Sequence, residues 1–114
     1  MKRYYCTPIN SFFETGYKNP IDKAVCSYSS PDVSLYHKLD EVPYDFVRKR
    51  VSILVSKDSR HLVLTKGALA NVLAVCSSAE EPEGKVITLA SVQPQIEHHF
   101  DELSRKGFRT LGVA

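Results

Sequence analysis

From Val51 onward the apolar positions change period from two to helical and back, and each change marks an element. Val51-Ser52-Ile53-Leu54-Val55-Ser56 is rich in β-branched residues and partly alternates, which predicts a strand. Lys57-Asp58-Ser59-Arg60 is a polar turn, and His61-Leu62-Val63-Leu64-Thr65-Lys66 reads as the return strand of an antiparallel hairpin. After Gly67, the residues Leu69, Val72, Leu73 and Cys76 recur at helical spacing, so Lys66 stands at a strand-to-helix corner. Glu80 to Lys85 is a loop by its Pro and Gly content, and Val86 to Leu89 is a brief strand. Ser91 then caps a long amphipathic helix through Val92, Ile96, Phe100 and Leu103, stopped by Lys106-Gly107. A last strand runs from Phe108 to Val113.

Upstream, Ile9, Phe12 and Phe13 form a short apolar stripe, one or two helical turns ended by Thr15-Gly16. Asn19-Pro20-Ile21-Asp22 is a helix start with Asn as cap, Pro in first place and Asp in the first turn, and this helix runs to about Ser27. Ser29-Ser30-Pro31-Asp32 repeats the signal and predicts a short helix over Val33, Leu35 and Tyr36. From Lys38, the residues Leu39, Val42, Tyr44 and Phe46 form a further strand leading into Val51. Helices at both ends of a run of hairpin-connected strands predict an α+β fold, a mainly antiparallel twisted sheet flanked by helices. The 114 residues fit a single domain spanning 1–114.

Composition narrows the function. With 43% hydrophobic and 25% charged residues the chain is an ordinary globular sequence. Fifteen basic against 13 acidic residues give a net charge of +2, too even for the counterion release that drives nucleic-acid binding, so no nucleic-acid partner is expected and any anion site is local. Cys6, Cys26 and Cys76 lie far apart with no C-x-x-C pair, which argues against a disulfide framework or structural zinc and for a reducing compartment. No apolar run approaches the roughly 20 residues needed to cross a bilayer. Met1-Lys2-Arg3 is followed by Tyr4-Tyr5-Cys6 rather than a signal-peptide core. By itself the segment is expected to be soluble.

Several separated elements carry the chemistry. Lys66-Gly67-Ala68 joins a full positive charge to a helix N-terminus that glycine lets a ligand approach, although the plain reading is a glycine at an ordinary turn. It is not a Walker A loop, since the upstream glycine and four-residue spacer are missing. Tyr44 and Phe46, two apart, point the same way in an extended segment, and one of them is a candidate stacking platform worth about 1 to 3 kcal/mol per base; taken alone, both read as core. Arg48, Lys49 and Arg50 read singly as a solvated strand edge, and together, with Arg109, as cations for phosphate. Asp22 is an ordinary helix-start carboxylate or an acceptor for an amino group such as adenine's. An aromatic face, several cations and a glycine turn are what holding an adenine nucleotide needs without cleaving it. His98 and His99 are adjacent and face different directions, and His37 and His61 lack nearby partners, so no metal site is assigned. No G-x-S-x-G elbow or triad pattern is present, so no catalytic residue is assigned.

At this point the chain resembles the nucleotide-binding domain of a P-type cation-transporting ATPase over nearly its whole length. Lys18-Asn19-Pro20-Ile21-Asp22 resembles the family's acidic residue after a Gly-x-Pro-Thr-like helix start. Pro43-Tyr44-Asp45-Phe46-Val47-Arg48-Lys49-Arg50-Val51-Ser52-Ile53 matches its Pro-Phe pair, basic run and Met-Ser-Val strand, with Tyr44 for Phe and Val51 for Met. Lys66-Gly67-Ala68 is intact, and Phe108 to Ala114 resembles the Leu-Arg-x-Leu-x-x-Ala ending. Leu69 departs from the common Pro and Ala70 from a frequent Glu. The resemblance implies that Tyr44 stacks on adenine, Asp22 meets its amino group, Lys66 lies against the ring or near the phosphates, and Lys49 and Arg109 face the phosphates. Gly67, Phe46, Arg48 and Ala68 complete the implied site.

Asn10 to Asn19 and the run from Phe46 to Arg50 look most like the magnesium-importing branch. The Asp-Lys-Thr-Gly-Thr segment that is phosphorylated and the Gly-Asp-Gly loop are absent, so the resemblance implies a fragment of a larger membrane transporter. Its role would be to bind ATP, as Mg-ATP in the whole enzyme, and present the γ-phosphate to an aspartate on the phosphorylation domain of the same full-length chain, on the cytoplasmic side of the membrane. The isolated fragment is not expected to turn over ATP. Two alternatives stay open: the same domain from a pump for another cation, and a protein-interaction domain whose basic face binds an acidic partner. An enzyme complete in 114 residues is disfavoured, because no nucleophile, base or metal cluster can be named.

Overall fold

The computed structural model describes residues 9–16, 20–28 and 32–114. Two helices come first, α1 (residues 9–13) and α2 (Pro20–Tyr28), then the strands β1 (His37–Val42), β2 (Arg50–Lys57) and β3 (Arg60–Gly67). They are followed by α3 (Leu69–Leu73), β4 (Ser78–Glu80), β5 (Val86–Thr88), α4 (Leu89–Arg105) and β6 (Gly112–Val113). The main sheet has the order β1-β2-β3-β6 with every pairing antiparallel, and β4 and β5 form a separate antiparallel pair. The fold is therefore α+β with a mainly antiparallel sheet, as the periodicity predicts.

The β2–β3 hairpin is the centre of the domain. Its two-residue loop uses Asp58 (φ 50°) and Ser59 (φ 60°), the left-handed pair that matches the twist of the flanking strands. Alternation then buries Val51, Ile53 and Val55 on one face of β2, where they pack with Leu64 of β3 and Ile9 of α1. Each of these side chains contributes about 1.5 to 3 kcal/mol by leaving water. Asn10 fastens α1 to this hairpin: its Nδ2 donates to the carbonyls of Leu64 (2.6 Å) and Val51 (3.4 Å).

Local chemistry explains where the elements differ from expectation. The helix expected over Val33 to Tyr36 is a turn, because Asp32 accepts from both the N–H and the hydroxyl of Ser34 and the chain closes with Tyr36 N–H on the Val33 carbonyl. The proposed start of that helix at Ser29-Ser30-Pro31, the Asn19 cap, Cys6 and the chain start Met1 to Cys6 lie outside the described residues. Tyr44 and Phe46 are not in a strand; they belong to the connection between β1 and β2, with a turn over residues 46–48. The helix after Gly67 stops at Leu73 rather than reaching Cys76, and Glu80 is in a strand rather than a loop. Thr88, not Ser91, is the N-cap residue of α4; Ser91 lies in the first turn and donates back to the Thr88 carbonyl at 2.7 Å.

At its other end α4 stops as expected. Gly107 (φ +84°) donates to Ser104 and Phe108 to Leu103, both at 3.0 Å, the paired bonds of a Schellman ending. The final strand is only Gly112–Val113, shorter than the Phe108 to Val113 expected, since its pairing with β3 begins at Gly112 and runs on to bonds between Thr65 and Ala114. Among the described residues no helix is long and apolar enough to cross a membrane.

Candidate functional site

A cleft of about 670 Å³ opens beside the end of β3, within the range typical of small-molecule sites. Its lining draws on sequence-distant pieces: Glu14 after α1, Asp22 of α2, Tyr44 and Phe46 of the β1–β2 connection, Lys66 of β3, and Phe100 of α4.

The floor is a buried charge cluster. Lys66 alternates onto the core face of β3 with Leu64 and is only 3% exposed, so its ammonium requires acceptors. It finds three: Asp22 Oδ1 in direct contact, Glu14 Oε2 at 3.1 Å and Ser11 Oγ at 3.0 Å. Ser11 also donates to Asp22 Oδ1 at 3.1 Å. Asp22 therefore does more than meet the α2 dipole from its first turn; at 1% exposure it is half of a buried ion pair.

The segment that carries Glu14 is tied to β1 on both sides. Lys38 Nζ donates to the Phe13 carbonyl at 2.9 Å and pairs with Glu41, while Glu41 accepts from the Thr15 N–H (3.1 Å) and hydroxyl (2.7 Å). Burial alone would raise the Glu41 pKa, but hydrogen bonds from Lys38 and Thr15 outweigh it and hold the carboxyl below the ordinary glutamate range. A group whose folded pKa is depressed stabilises the fold above its unfolded pKa and loses that contribution as pH falls through the folded value. Glu41→Gln is thus expected to cost about 1 kcal/mol at neutral pH, with the gap from the parent closing in acid, below the ordinary glutamate range. Urea unfolding at both pH values tests this, and a gap that does not close would refute the tether.

At the mouth, the rings of Tyr44 and Phe46 meet edge-to-face with centroids 5.7 Å apart. Tyr44 is 48% exposed and Phe46 87%, so neither is core. Asp45 shapes this turn: its carboxylate accepts from the Arg48 N–H at 2.5 Å and pairs with the Arg48 guanidinium, and its carbonyl accepts from Lys49 N–H at 2.8 Å. The basic run is consequently divided rather than a uniform strand edge. Arg48 folds back on Asp45, Arg50 Nη1 donates to the Asn71 carbonyl of α3 at 3.1 Å, and Lys49 takes a left-handed conformation (φ 52°) with an exposed side chain.

Gly67 has a packing reason. A Cβ there would lie 2.2 Å from the Lys49 carbonyl oxygen and 2.8 Å from the Arg50 Cα, while the next residue, Ala68, donates its N–H to that same carbonyl at 3.1 Å. The corner is a backbone-to-backbone contact, and α3 begins from it with no side-chain cap. At five residues α3 carries little of the dipole expected of a longer helix.

Of the residues singled out in the sequence, Asp22, Tyr44, Phe46, Lys66, Gly67 and Ala68 share the cleft. Arg48, Lys49 and Arg109 are exposed and lie outside its lining, although Arg109 precedes Thr110 and Lys49 abuts Gly67. Residue-by-residue reading missed Glu14, Glu41, Phe100 and Thr110. The Thr110 hydroxyl oxygen is buried and has no hydrogen-bond partner among the described residues, which fits a cleft that takes a polar ligand. Among the described residues no three or more His, Cys, Asp or Glu side chains are grouped to hold a metal ion.

The α+β fold with its antiparallel sheet agrees with the family comparison. The family model "P-type ATPase, cytoplasmic domain N" matches residues 13–114, and the chain belongs to that family, the nucleotide-binding domain of such ATPases. Its relatives include the "Magnesium-transporting ATPase, P-type 1" of Escherichia coli (strain K12), 35% identical over 113 residues covering 93% of this chain and 12% of that protein. The protein of the same description from Salmonella typhimurium (strain 14028s / SGSC 2262) is 33% identical over 117 residues, 96% of this chain and 13% of that protein. A "Probable cation-transporting P-type ATPase" of Mycoplasma genitalium is 33% identical over 86 residues, 75% of this chain and 9% of that protein. The chain thus spans about one-eighth of the length of the first two relatives.

Proposed function

We propose that the cleft holds the adenosine part of ATP. The observation that carries this reading is Tyr44, a half-exposed ring at the mouth of an apolar cleft whose floor is the Lys66–Asp22 pair. Tyr44 stacks on the base, and Phe46 braces it edge-on. Lys66 lies with its stem against the ring, and Asp22, a carboxylate lining the same cleft, accepts from the adenine amino group. Gly67 and Ala68 allow the backbone to approach. Lys49 and Arg109, exposed beyond the lining, meet the phosphates, with Arg48 nearby.

In the longer protein, of which these 114 residues form one domain-level piece, the bound nucleotide is Mg-ATP. The domain presents its γ-phosphate to a phosphorylatable aspartate on another domain of the chain, in a membrane pump that transports magnesium, as the names of its relatives suggest. Positioning of the phosphate, rather than chemistry, is this domain's contribution, and the isolated chain does not turn over ATP.

A two-dimensional amide NMR titration with ATP tests the reading. Affinity is expected in the range of about 0.1 to several millimolar, roughly 3 to 5.5 kcal/mol. Shifts should cluster near Asp22, Tyr44, Lys66 and Arg109, and Tyr44→Ala should weaken binding by about tenfold, a stacking loss within the usual range. Absence of saturable shifts at several millimolar would remove the proposal and favour an acidic protein partner on the basic face.

A further inference from the structure

We infer that Glu14 is a positioning residue of this cleft: with Ser11 and Asp22 it immobilises the Lys66 ammonium, so that the lysine serves the ligand through its place and stem and not as a free cation. The inference rests on the nucleotide reading and goes beyond it. An ammonium has three N–H donors, and Lys66 has three acceptors at bonding distance, on Ser11, Glu14 and Asp22. None of its donors is left for a phosphate. Lys66, Asp22 and Glu14 are 3%, 1% and 6% exposed, so among the described residues the floor holds two carboxylates against one ammonium. That excess of negative charge repels phosphate and directs it towards the exposed Lys49 and Arg109, while tolerating an uncharged base.

Glu14 is delivered to this place by rigid neighbours. Its N–H donates to the Asn10 carbonyl at 3.0 Å, continuing the α1 pattern, and Asn10 is itself fastened to Leu64, two residues before Lys66. Phe13 and Thr15, on either side, are held by Lys38 and Glu41. A carboxylate on a segment so fixed can hold an ammonium in one position.

The test titrates the 114-residue chain with adenosine and with ATP, in the parent, Glu14→Gln and Glu14→Ala, and records the lysine ammonium ¹H–¹⁵N signals. In Glu14→Ala adenosine binding is expected to weaken about fivefold, one hydrogen bond's worth. ATP should weaken less, raising the preference for ATP over adenosine about threefold as the negative charge is removed. Glu14→Gln keeps an acceptor and the shape, so adenosine affinity should stay within about twofold of the parent while the preference for ATP still rises. The slowly exchanging Lys66 ammonium signal should persist in the parent and Glu14→Gln and broaden away in Glu14→Ala. If Glu14→Ala fails to fold, the shift in preference in Glu14→Gln carries the test. Equal weakening of both ligands would assign Glu14 a merely structural role, and an unchanged ammonium signal in Glu14→Ala would show that it does not hold Lys66. A parent that binds neither ligand, with the ammonium signal behaving as expected, overturns the nucleotide reading and with it this role.

Discussion

Gly67→Ala is expected to destabilise the domain by about 3 kcal/mol or more, at the upper end of what overpacking costs. The added methyl would be 2.2 Å from the Lys49 carbonyl oxygen and 2.8 Å from the Arg50 Cα. Both are backbone atoms, so no flexible side chain can swing aside. Relief requires parting β2 from β3 at the Arg50–Gly67 pair and lengthening the bond from Ala68 N–H to Lys49. Since domains are stable by only about 5 to 15 kcal/mol, the melting temperature should fall by about 12 °C or more. Thermal unfolding followed by circular dichroism measures this. A loss under about 1 kcal/mol, or the gain of up to about 1 kcal/mol that an unstrained Gly-to-Ala change gives, would mean that the corner has room for a methyl group.

Lys66→Met should cost about 3 to 5 kcal/mol, the loss seen when one partner of a buried ion pair is removed. Methionine fills much of the space of the lysine stem, so the loss reports charge more than volume. Asp22 and Glu14 would remain in the interior, facing each other without the ammonium that now sits between them. Adding Asp22→Asn and Glu14→Gln to Lys66→Met should restore a substantial part of the stability, because the two charges that the first change strands are then gone. Urea unfolding of the single and triple variants decides the matter. If Lys66→Met costs no more than a surface lysine, or the triple variant is worse than the single, the buried cluster does not hold the floor of the cleft as described.

What the sequence reveals of this fold is what neighbours in sequence decide. The β2–β3 hairpin, the α2 start at Pro20 and the Gly107 stop of α4 rest on period, turn chemistry and capping within a few residues, and all three are where they were expected. The same local logic misled at Asp32, because a side chain that caps a helix also closes a tight turn, and Val33 and Tyr36 reach the core from that turn without a helix. Tyr44 and Phe46 meet through a turn organised by Asp45, not through strand alternation. The site was legible where one residue type carries its own chemistry, as with Tyr44 and Lys66. Glu14 and Thr110 carry no such mark. Glu14 is an ordinary acid after a helix until the fold brings it to an ammonium 52 positions away.

That distance governs the order in which the site can be assembled. The turn at Asp58-Ser59 joins β2 to β3 through two residues, so the strand bearing Lys66 finds its partner by a very short closure. The acids and the serine that receive its ammonium must come from 44, 52 and 55 positions back along the chain. Closing loops of that length costs more entropy than closing the hairpin, though the cost rises only slowly with length. During synthesis those upstream residues have already left the ribosome when Lys66 emerges, so its acceptors precede it, and the cleft closes only when Phe100, Thr110 and Leu111 of the same lining follow.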